Sequence, residues 1–405
     1  MEAGESTKSG LGYPDSGESM ELSNKRIVID AAMVRRGGGF THLVNVLPKL
    51  VETAPGANFL VLVRGEAVAQ SLPQAPNLAI EVLPEANFAQ RIRFQLEEAA
   101  RLSRRYQADV YYSVAETAPR GLACPLIVSF RNPNVFTSLD QNWGPYQSFR
   151  LPALRRAAVR TARRAARVIF VSHDSARWIG DSIQLAPEKR AVIHHGIDPR
   201  SWHSTPVAST SEAKDLGILS VSSIYRYKNF VRLIEAWKVF AEHRADAPPL
   251  TIVGDVVDRT HARDMETARR ACGPLAGKVR ILGAVPYEEI AQYYQRSDIF
   301  VFPSYLETFG HPLLEAMISG IPVVAADIDV FREVASDAAV YCDPFEITSI
   351  AAGLSKVFDD STIRENLTRA GMRRVDQFTW DQTARQTLQL LHDVIDDATN
   401  SAPTR

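Results

Sequence analysis

Short, nearly unbroken apolar runs alternate with longer amphipathic stretches along most of the chain. The runs "RIVID" (26–30), "NFLVLV" (58–63), "DVYY" (109–112), "PLIVS" (125–129), "RVIFVS" (167–172) and "AVI" (191–193) are rich in β-branched residues. Strands that are apolar throughout are those a parallel sheet buries between two helical layers. The stretches between them, such as 88–106, have the helical character that βαβ crossovers need. The rhythm breaks over 198–215, which is polar, carries two prolines and has no hydrophobic period. It restarts with "GILSVSS" (217–223), "LTIVGD" (250–255), "VRILG" (279–283), "DIFVFP" (298–303), "PVVAA" (322–326) and "AVYCD" (339–343).

The pattern predicts an α/β protein of two Rossmann-like parallel-sheet domains, residues 25–198 and 216–380, joined by a linker over 199–215. Two such sheets face a central cleft at the carboxyl ends of their strands, the usual ligand site. A last helix is expected over 381–398, where Thr387, Leu390, Leu391 and Val394 share a face that needs a surface to pack on. Residues 1–24, rich in Ser, Gly and Glu, read as a disordered tail.

Composition narrows the partners. Among 405 residues, 46 Lys and Arg balance 47 Asp and Glu, so a whole-protein basic field is absent and no nucleic-acid partner is expected. The hydrophobic share of 45% suits a folded chain with more than one core. Cys124, Cys272 and Cys342 stand far apart with neither metal spacing nor a disulfide pattern, which suggests a reducing cytoplasm. No run of about 18 apolar residues is present, so neither a membrane span nor a secretory signal is expected.

The stretch 302–334 is the richest in chemistry. An apolar strand should end at Pro303, followed by a loop with Glu307, Phe309 and Gly310. Proline suits the first turn of a helix, which places a start near Pro312 with His311 at the cap. Gly320 falls where a helix end takes a left-handed residue, and Pro322 opens the next strand. N–H groups from Gly310 to Leu314 would then point out of the helix start, a site suited to phosphate. Glu307 and Glu315 flank it as acceptors for sugar or ribose hydroxyls. The bare Glu-x7-Glu spacing also fits two solvated surface acids, and only the strand–loop–Pro–helix–Gly–strand context singles it out.

These residues resemble the retaining GT-B glycosyltransferases of family 4. Ser304, Glu307, Phe309, Gly310, Pro312, Glu315, Ala316, Met317, Gly320, Pro322, Val323 and Val324 stand in register with that family's pattern. Thr308 replaces its usual glycine, and Glu333 matches a following acid. "VSHDS" (171–175), "HHGID" (194–198), "LIEAW" (233–237) and "FTWDQTA" (378–384) extend the likeness over residues 26–395.

The resemblance implies that Glu307 contacts the transferred sugar, that Glu315 binds the ribose, and that backbone from Phe309 to Leu314, with His311, holds a diphosphate. It also places a basic pair after the first strand of the second domain. Lys228 is in register there, Ser223 stands where the arginine is expected, and Arg226 could bring that charge from another direction. Fixed cations stabilise a departing diphosphate without metal. In the first domain, Gly37, Gly38 and Gly39 correspond to a glycine-rich loop, or to a simple tight turn. Arg131 occupies the place of a histidine near the reacting centre, where it could bind phosphate, bind an anionic acceptor or pair structurally. His194 and His195 sit where they could line the cleft, or serve packing.

The function implied is transfer of a sugar, mannose-like in one reading, from a nucleoside-diphosphate donor to a hydroxyl of a glycan or lipid-linked acceptor, with retention. No metal or organic cofactor is expected, and "DID" (327–329) is read as a family loop rather than a metal site. A catalytically silent nucleotide-sugar-binding subunit, a nucleotide-sugar epimerase and a pyridoxal-phosphate phosphorylase remain as alternatives. Residues 150–167 hold seven arginines opposite Leu151, Leu154, Ala158, Ala162 and Ala165. Such a helix could rest on anionic lipid at the inner face of the membrane, or be merely solvated.

Overall fold

The computed structural model describes residues 22–34, 38–86, 90, 94, 98–137, 145–199, 202 and 215–401. The expected tail through residue 21, Gly37, and residues 200–201 and 203–214 of the expected linker lie outside them.

Two parallel sheets form the framework. The first contains β1 (Arg26–Asp30), β2 (Asn58–Arg64), β3 (Leu78–Leu83), β4 (Val110–Ser113), β5 (Leu126–Phe130), β6 (Arg167–Phe170) and β7 (Arg190–Val192), in the order β3-β2-β1-β4-β5-β6-β7. The second contains β8 (Gly217–Val221), β9 (Leu250–Val253), β10 (Val279–Gly283), β11 (Ser297–Phe302), β12 (Val323–Ala326) and β13 (Ala339–Cys342), in the order β10-β9-β8-β11-β12-β13. The apolar runs do not mark β3, an edge strand. Its buried and exposed positions roughly alternate because one face is left to solvent.

Strand order reverses between β1 and β4 in one sheet and between β8 and β11 in the other. Crevices open at the carboxyl ends of such neighbours. The segments after β1, β5 and β7 carry Gly38, Arg131 and His195, and those after β8 and β11 carry Lys228 and Glu307. All five therefore leave the carboxyl ends of their sheets.

The last helix, Trp380–Asn400, starts one residue before and ends two residues after the expected 381–398, and Thr379 caps it by accepting the Gln382 N–H at 3.2 Å. Trp380, Ala384, Leu388, Leu391 and Ile395 join the first-domain core with Leu43, Val46, Leu47 and Leu50 of helix Gly38–Thr53. The chain thus returns to its first domain. At the crossing, Ile197 N–H donates to the Phe378 carbonyl at 2.9 Å. A Cβ on Gly196 would lie 2.2 Å from the Trp380 nitrogen, so only glycine fits there. Trp202, inside the expected linker, is buried against Tyr294 of the second domain at 5.4 Å between ring centroids.

The arginine-rich helix runs from Pro145 to Arg164, and Arg167 already belongs to β6. Ala158 and Ala162, with Ala165 just beyond, are buried, whereas Leu151 and Leu154 are only half-buried. Arg156, Arg160 and Arg163 face solvent, and Phe149 is 83% exposed. Arg164 instead donates to the Pro119 carbonyl at 2.6 Å, and Arg167 to Asp397 at 3.2 Å. Among the described residues, no helix is long and apolar enough to cross a membrane.

Candidate active site

The loop after β11 is tied to the turn after β8. Tyr305 N–H donates to the Tyr227 carbonyl at 3.0 Å, and the buried Ser304 hydroxyl reaches the same oxygen at 3.2 Å. Asn229 closes the turn in the left-handed region, φ 64°, which asparagine tolerates. Its amide is held by the carbonyls of Pro303 at 3.2 Å and Pro344 at 2.5 Å. These bonds fix Lys228 against Glu307: Nζ donates to Oε1, and the two side chains are 11% and 10% exposed. The ammonium also lies 5.2 Å from the Tyr227 ring centroid and 5.3 Å from that of Phe302, within cation–π range. The structure does not bring Arg226 or Ser223 to this pair. Arg226 and Ser223, which lies just beyond β8, are both exposed.

The next helix is His311–Ile318, and its cap is Gly310 at φ 88° rather than His311. Proline at the second position leaves the first residue helical, so the left-handed turn falls one residue earlier. A Cβ on Gly310 would stand 2.6 Å from Phe331 Cε1, which reserves the position for glycine. The donors are fewer than expected. Pro312 has no N–H, and that of Leu313 bonds the Gly310 carbonyl at 2.9 Å. The N–H groups of Phe309, Gly310 and His311 have no partner among the described residues. The side chain of Leu314 is fully buried in the core, so only its backbone could face a ligand.

Glu315 is buried with both oxygens engaged. Tyr294 donates to Oε2 at 2.8 Å, and His311 Nδ1 lies 3.2 Å from Oε1. Burial and the Glu315 charge push the Tyr294 hydroxyl well above its ordinary range, so it stays a donor. Burial disfavours the His311 cation, but the hydrogen bond and charge of Glu315 outweigh it and raise the imidazole above its usual value. The other nitrogen of His311 is 3.0 Å from the Gly196 carbonyl, which fixes the ring.

The first domain closes against this loop. Thr308 Oγ1 donates to the Arg131 carbonyl at 2.7 Å, and the Ser172 hydroxyl donates to the Thr308 carbonyl at 2.7 Å. His195 is 8% exposed and meets His42 at 5.3 Å, Phe309 at 5.4 Å and Trp380 at 5.8 Å between centroids. Burial, reinforced by Arg131, pulls both His42 and His195 well below the ordinary imidazole value, so both are neutral near pH 7. Sequence reasoning missed His42, which reads as an interior position of its helix. It also missed Glu116, whose Oε1 accepts the N–H groups of Arg131 and Asn132 at 3.3 and 3.0 Å. Gly38 is exposed at the start of its helix, and a Cβ on Gly39 would meet Val34 only at 3.7 Å, so neither glycine is sterically required.

His194 pairs with Glu333, with Nε2 to Oε1 at 2.7 Å. His173, His194 and Glu333 place three possible metal-binding atoms within 4.8 Å of one another. The Glu333 oxygens already accept the backbone N–H groups of His173 and Asp174, at 2.7 and 3.0 Å. In "DID", Asp327 pairs with Arg332 at 2.5 Å and Asp329 with Arg177, so both carboxylates are compensated.

The sequence profile of "Glycosyltransferase Family 4" matches residues 36–201, and that of "Glycosyl transferases group 1" matches residues 205–374. The O-antigen chain mannosyltransferase B of Escherichia coli is 37% identical over 116 residues, 29% of this chain and 30% of the relative. A phosphatidyl-myo-inositol mannosyltransferase of Mycobacterium tuberculosis is 33% identical over 138 residues, 32% of this chain and 36% of the relative. The matched region thus spans about a third of the length of these curated relatives. Anabaena Alr3699/HepE, solved in complex with UDP and glucose, superposes with a TM-score of 0.69 at 18% identity, over 91% of this chain and 100% of that one. A glycosyltransferase from Rickettsia africae gives 0.70 at 16% identity, over 92% and 99%. These superpositions support the GT-B fold. With both halves of the chain matched and two parallel-sheet domains closed on one cleft, the protein belongs to the group 1 glycosyltransferases.

Proposed function

We propose that the protein transfers a hexose from a nucleoside-diphosphate sugar to a hydroxyl acceptor, with retention of configuration. The observation that carries this reading is the arrangement around residues 307–315. Three unpartnered N–H groups and Lys228 are suited to the diphosphate, with Glu307 beside them and Glu315 buried behind. A departing diphosphate gains negative charge, which fixed donors in a closed cleft stabilise. The leaving phosphate would take the acceptor proton, and Glu307 would face the sugar. The donor site would span Phe309 to His311, with the ribose near Glu315. No metal is needed for this scheme, because Lys228 and the N–H groups supply the positive ends.

Names of relatives point to a mannosyl donor and a glycan or lipid-linked acceptor. The basic helix Pro145–Arg164, with Phe149 exposed among its arginines, fits peripheral contact with an anionic membrane on the cytoplasmic side. Sedimentation with anionic vesicles, compared between wild type and an arginine-depleted helix, tests that contact.

The test of the function is a thermal-shift panel of UDP, GDP, ADP and dTDP, each with and without chelator. It is followed by NMR of the product anomer with the selected donor. A stabilising diphosphate, indifferent to chelator, and a product of retained configuration are expected. A second reading, a silent nucleotide-sugar-binding subunit, is favoured by Ser223 at the place of the expected cation. It predicts binding with no turnover. Release of an epimerised donor without acceptor would instead point to the isomerase.

A further inference from the structure

The cleft wall contributed by the first domain holds donors that have nothing to bind. Arg131 Nη2 donates to the Tyr112 hydroxyl at 3.2 Å and the Ser129 hydroxyl at 3.3 Å. Its Nε and Nη1 are shut off from solvent and have no partner, and the same holds for His42 Nδ1. Arg131 makes no ion pair with a described residue. The nearby Glu116 carboxylate binds the backbone N–H groups of residues 131 and 132 instead of the guanidinium. A buried guanidinium stays protonated, so its unmet N–H groups carry a full desolvation cost. Native proteins rarely leave such donors without a reason.

Position gives the reason. Arg131 is bonded through its carbonyl to Thr308, the residue between Glu307 and Phe309. His42 meets His195, and His195 meets Phe309, where the unpartnered N–H groups begin. On the opposite wall Lys228 is already held by Glu307, and Ser223 brings no charge. The cation that the second domain lacks therefore stands in the first.

We propose that Arg131 and His42 form an oxyanion pocket of the cleft that takes a substrate phosphate, a role that rests on the glycosyl-transfer reading for its place in turnover. The phosphate has two chemical sources: the diphosphate of the donor, or a phosphoryl group on the acceptor. In either case binding of the anion completes the buried guanidinium and bridges the two domains. A neutral His42 contributes one N–H, and the arginine contributes the charge.

Isothermal titration of wild type, Arg131→Met and Arg131→Lys with inorganic pyrophosphate, the selected nucleoside diphosphate and glucose 6-phosphate tests this. Arg131→Met is expected to weaken at least one of these about 10- to 100-fold, the range for hydrogen bonds to a charged group. Arg131→Lys keeps the charge but loses the directional donors, and should fall between. Loss confined to pyrophosphate and the nucleotide assigns the donor, whereas loss confined to glucose 6-phosphate assigns the acceptor. Without ligand, Arg131→Met should melt no lower than wild type, because removal of unmet buried donors offsets the two lost hydroxyl bonds. Unchanged affinity for all three probes overturns the proposal, as does a lower melting temperature with binding intact, which would mark a structural arginine. If Arg131→Met does not fold, Arg131→Lys decides by the same affinities. Glu315→Gln separates the two readings. Nucleotide binding lost there, with the affinity for all three probes intact in Arg131→Met, sinks the pocket alone. Pyrophosphate binding lost in Arg131→Met, with no transfer by the wild-type protein from any donor, sinks the glycosyl-transfer reading alone.

Discussion

Replacing Lys228 by methionine removes the cation that Glu307 touches and leaves the carboxylate in a site where it is only 10% exposed. Breaking a buried ion pair by deleting one partner costs about 3–5 kcal/mol, because the remaining charge is desolvated without compensation. The pair is not sealed completely, and Glu307 can turn toward the cleft, so the low end of that range, about 3 kcal/mol, is expected. The methionine still fills the space between the Tyr227 and Phe302 rings, which limits any cavity term. Replacing Glu307 by glutamine as well removes both charges together, and the double variant should recover about 2 kcal/mol of the loss. Urea unfolding of the four proteins gives the cycle, and nucleotide titration of the same four separates stability from binding. A single-variant loss below about 1 kcal/mol, or a coupling below about 0.5 kcal/mol, would refute the pair as a buried electrostatic unit.

The same geometry makes further predictions. Gly310→Ala should destabilise by about 2 kcal/mol or more, from the left-handed backbone and the clash with Phe331, as measured by urea midpoint. Trp380→Ala should cost about 3–5 kcal/mol, and proteolysis should then release the last helix first. Glu315→Gln should weaken nucleotide binding in calorimetry while leaving the Tyr294 contact able to form. Acidification should destabilise through His42 and His195. Their folded values lie below the ordinary 6.5, so the unfolded chain binds more protons once pH falls below it. The loss approaches about 1.4 kcal/mol per pH unit for each histidine, read from urea midpoints between pH 7 and 5. His311, raised above 6.5, acts oppositely: its contribution is complete below 6.5 and fades as pH rises through its folded value. His42→Gln should flatten the acid limb, and a limb of unchanged slope would show that His42 does not titrate there.

Much of the framework was legible because strands buried on both faces leave continuous apolar runs, as in 217–221 and 323–326. β3 was not, since an exposed edge removes that signal. The Glu307–Gly310–Glu315 segment could be found from one contiguous stretch whose proline and glycines mark its turns. The partners from elsewhere could not: His42, Glu116 and Tyr294 are set by how helices and sheets dock, and no spacing along the chain encodes that. Arg226 shows the limit of spacing: it is two residues from Lys228, yet within a single turn one side chain is buried and the other exposed.

Thr308 has a consequence for turnover. Its side chain donates to one first-domain carbonyl while its own carbonyl accepts from a first-domain serine, so this residue latches the two halves from both directions. It is also the link between Glu307 and Phe309. On the proposed reading, an opening that parts the two domains at this loop breaks both bonds and frees the backbone that positions those two residues. If the protein transfers sugar as proposed, product exit and dismantling of the site are then a single event, and an open molecule would be unable to cleave a donor that binds to it early.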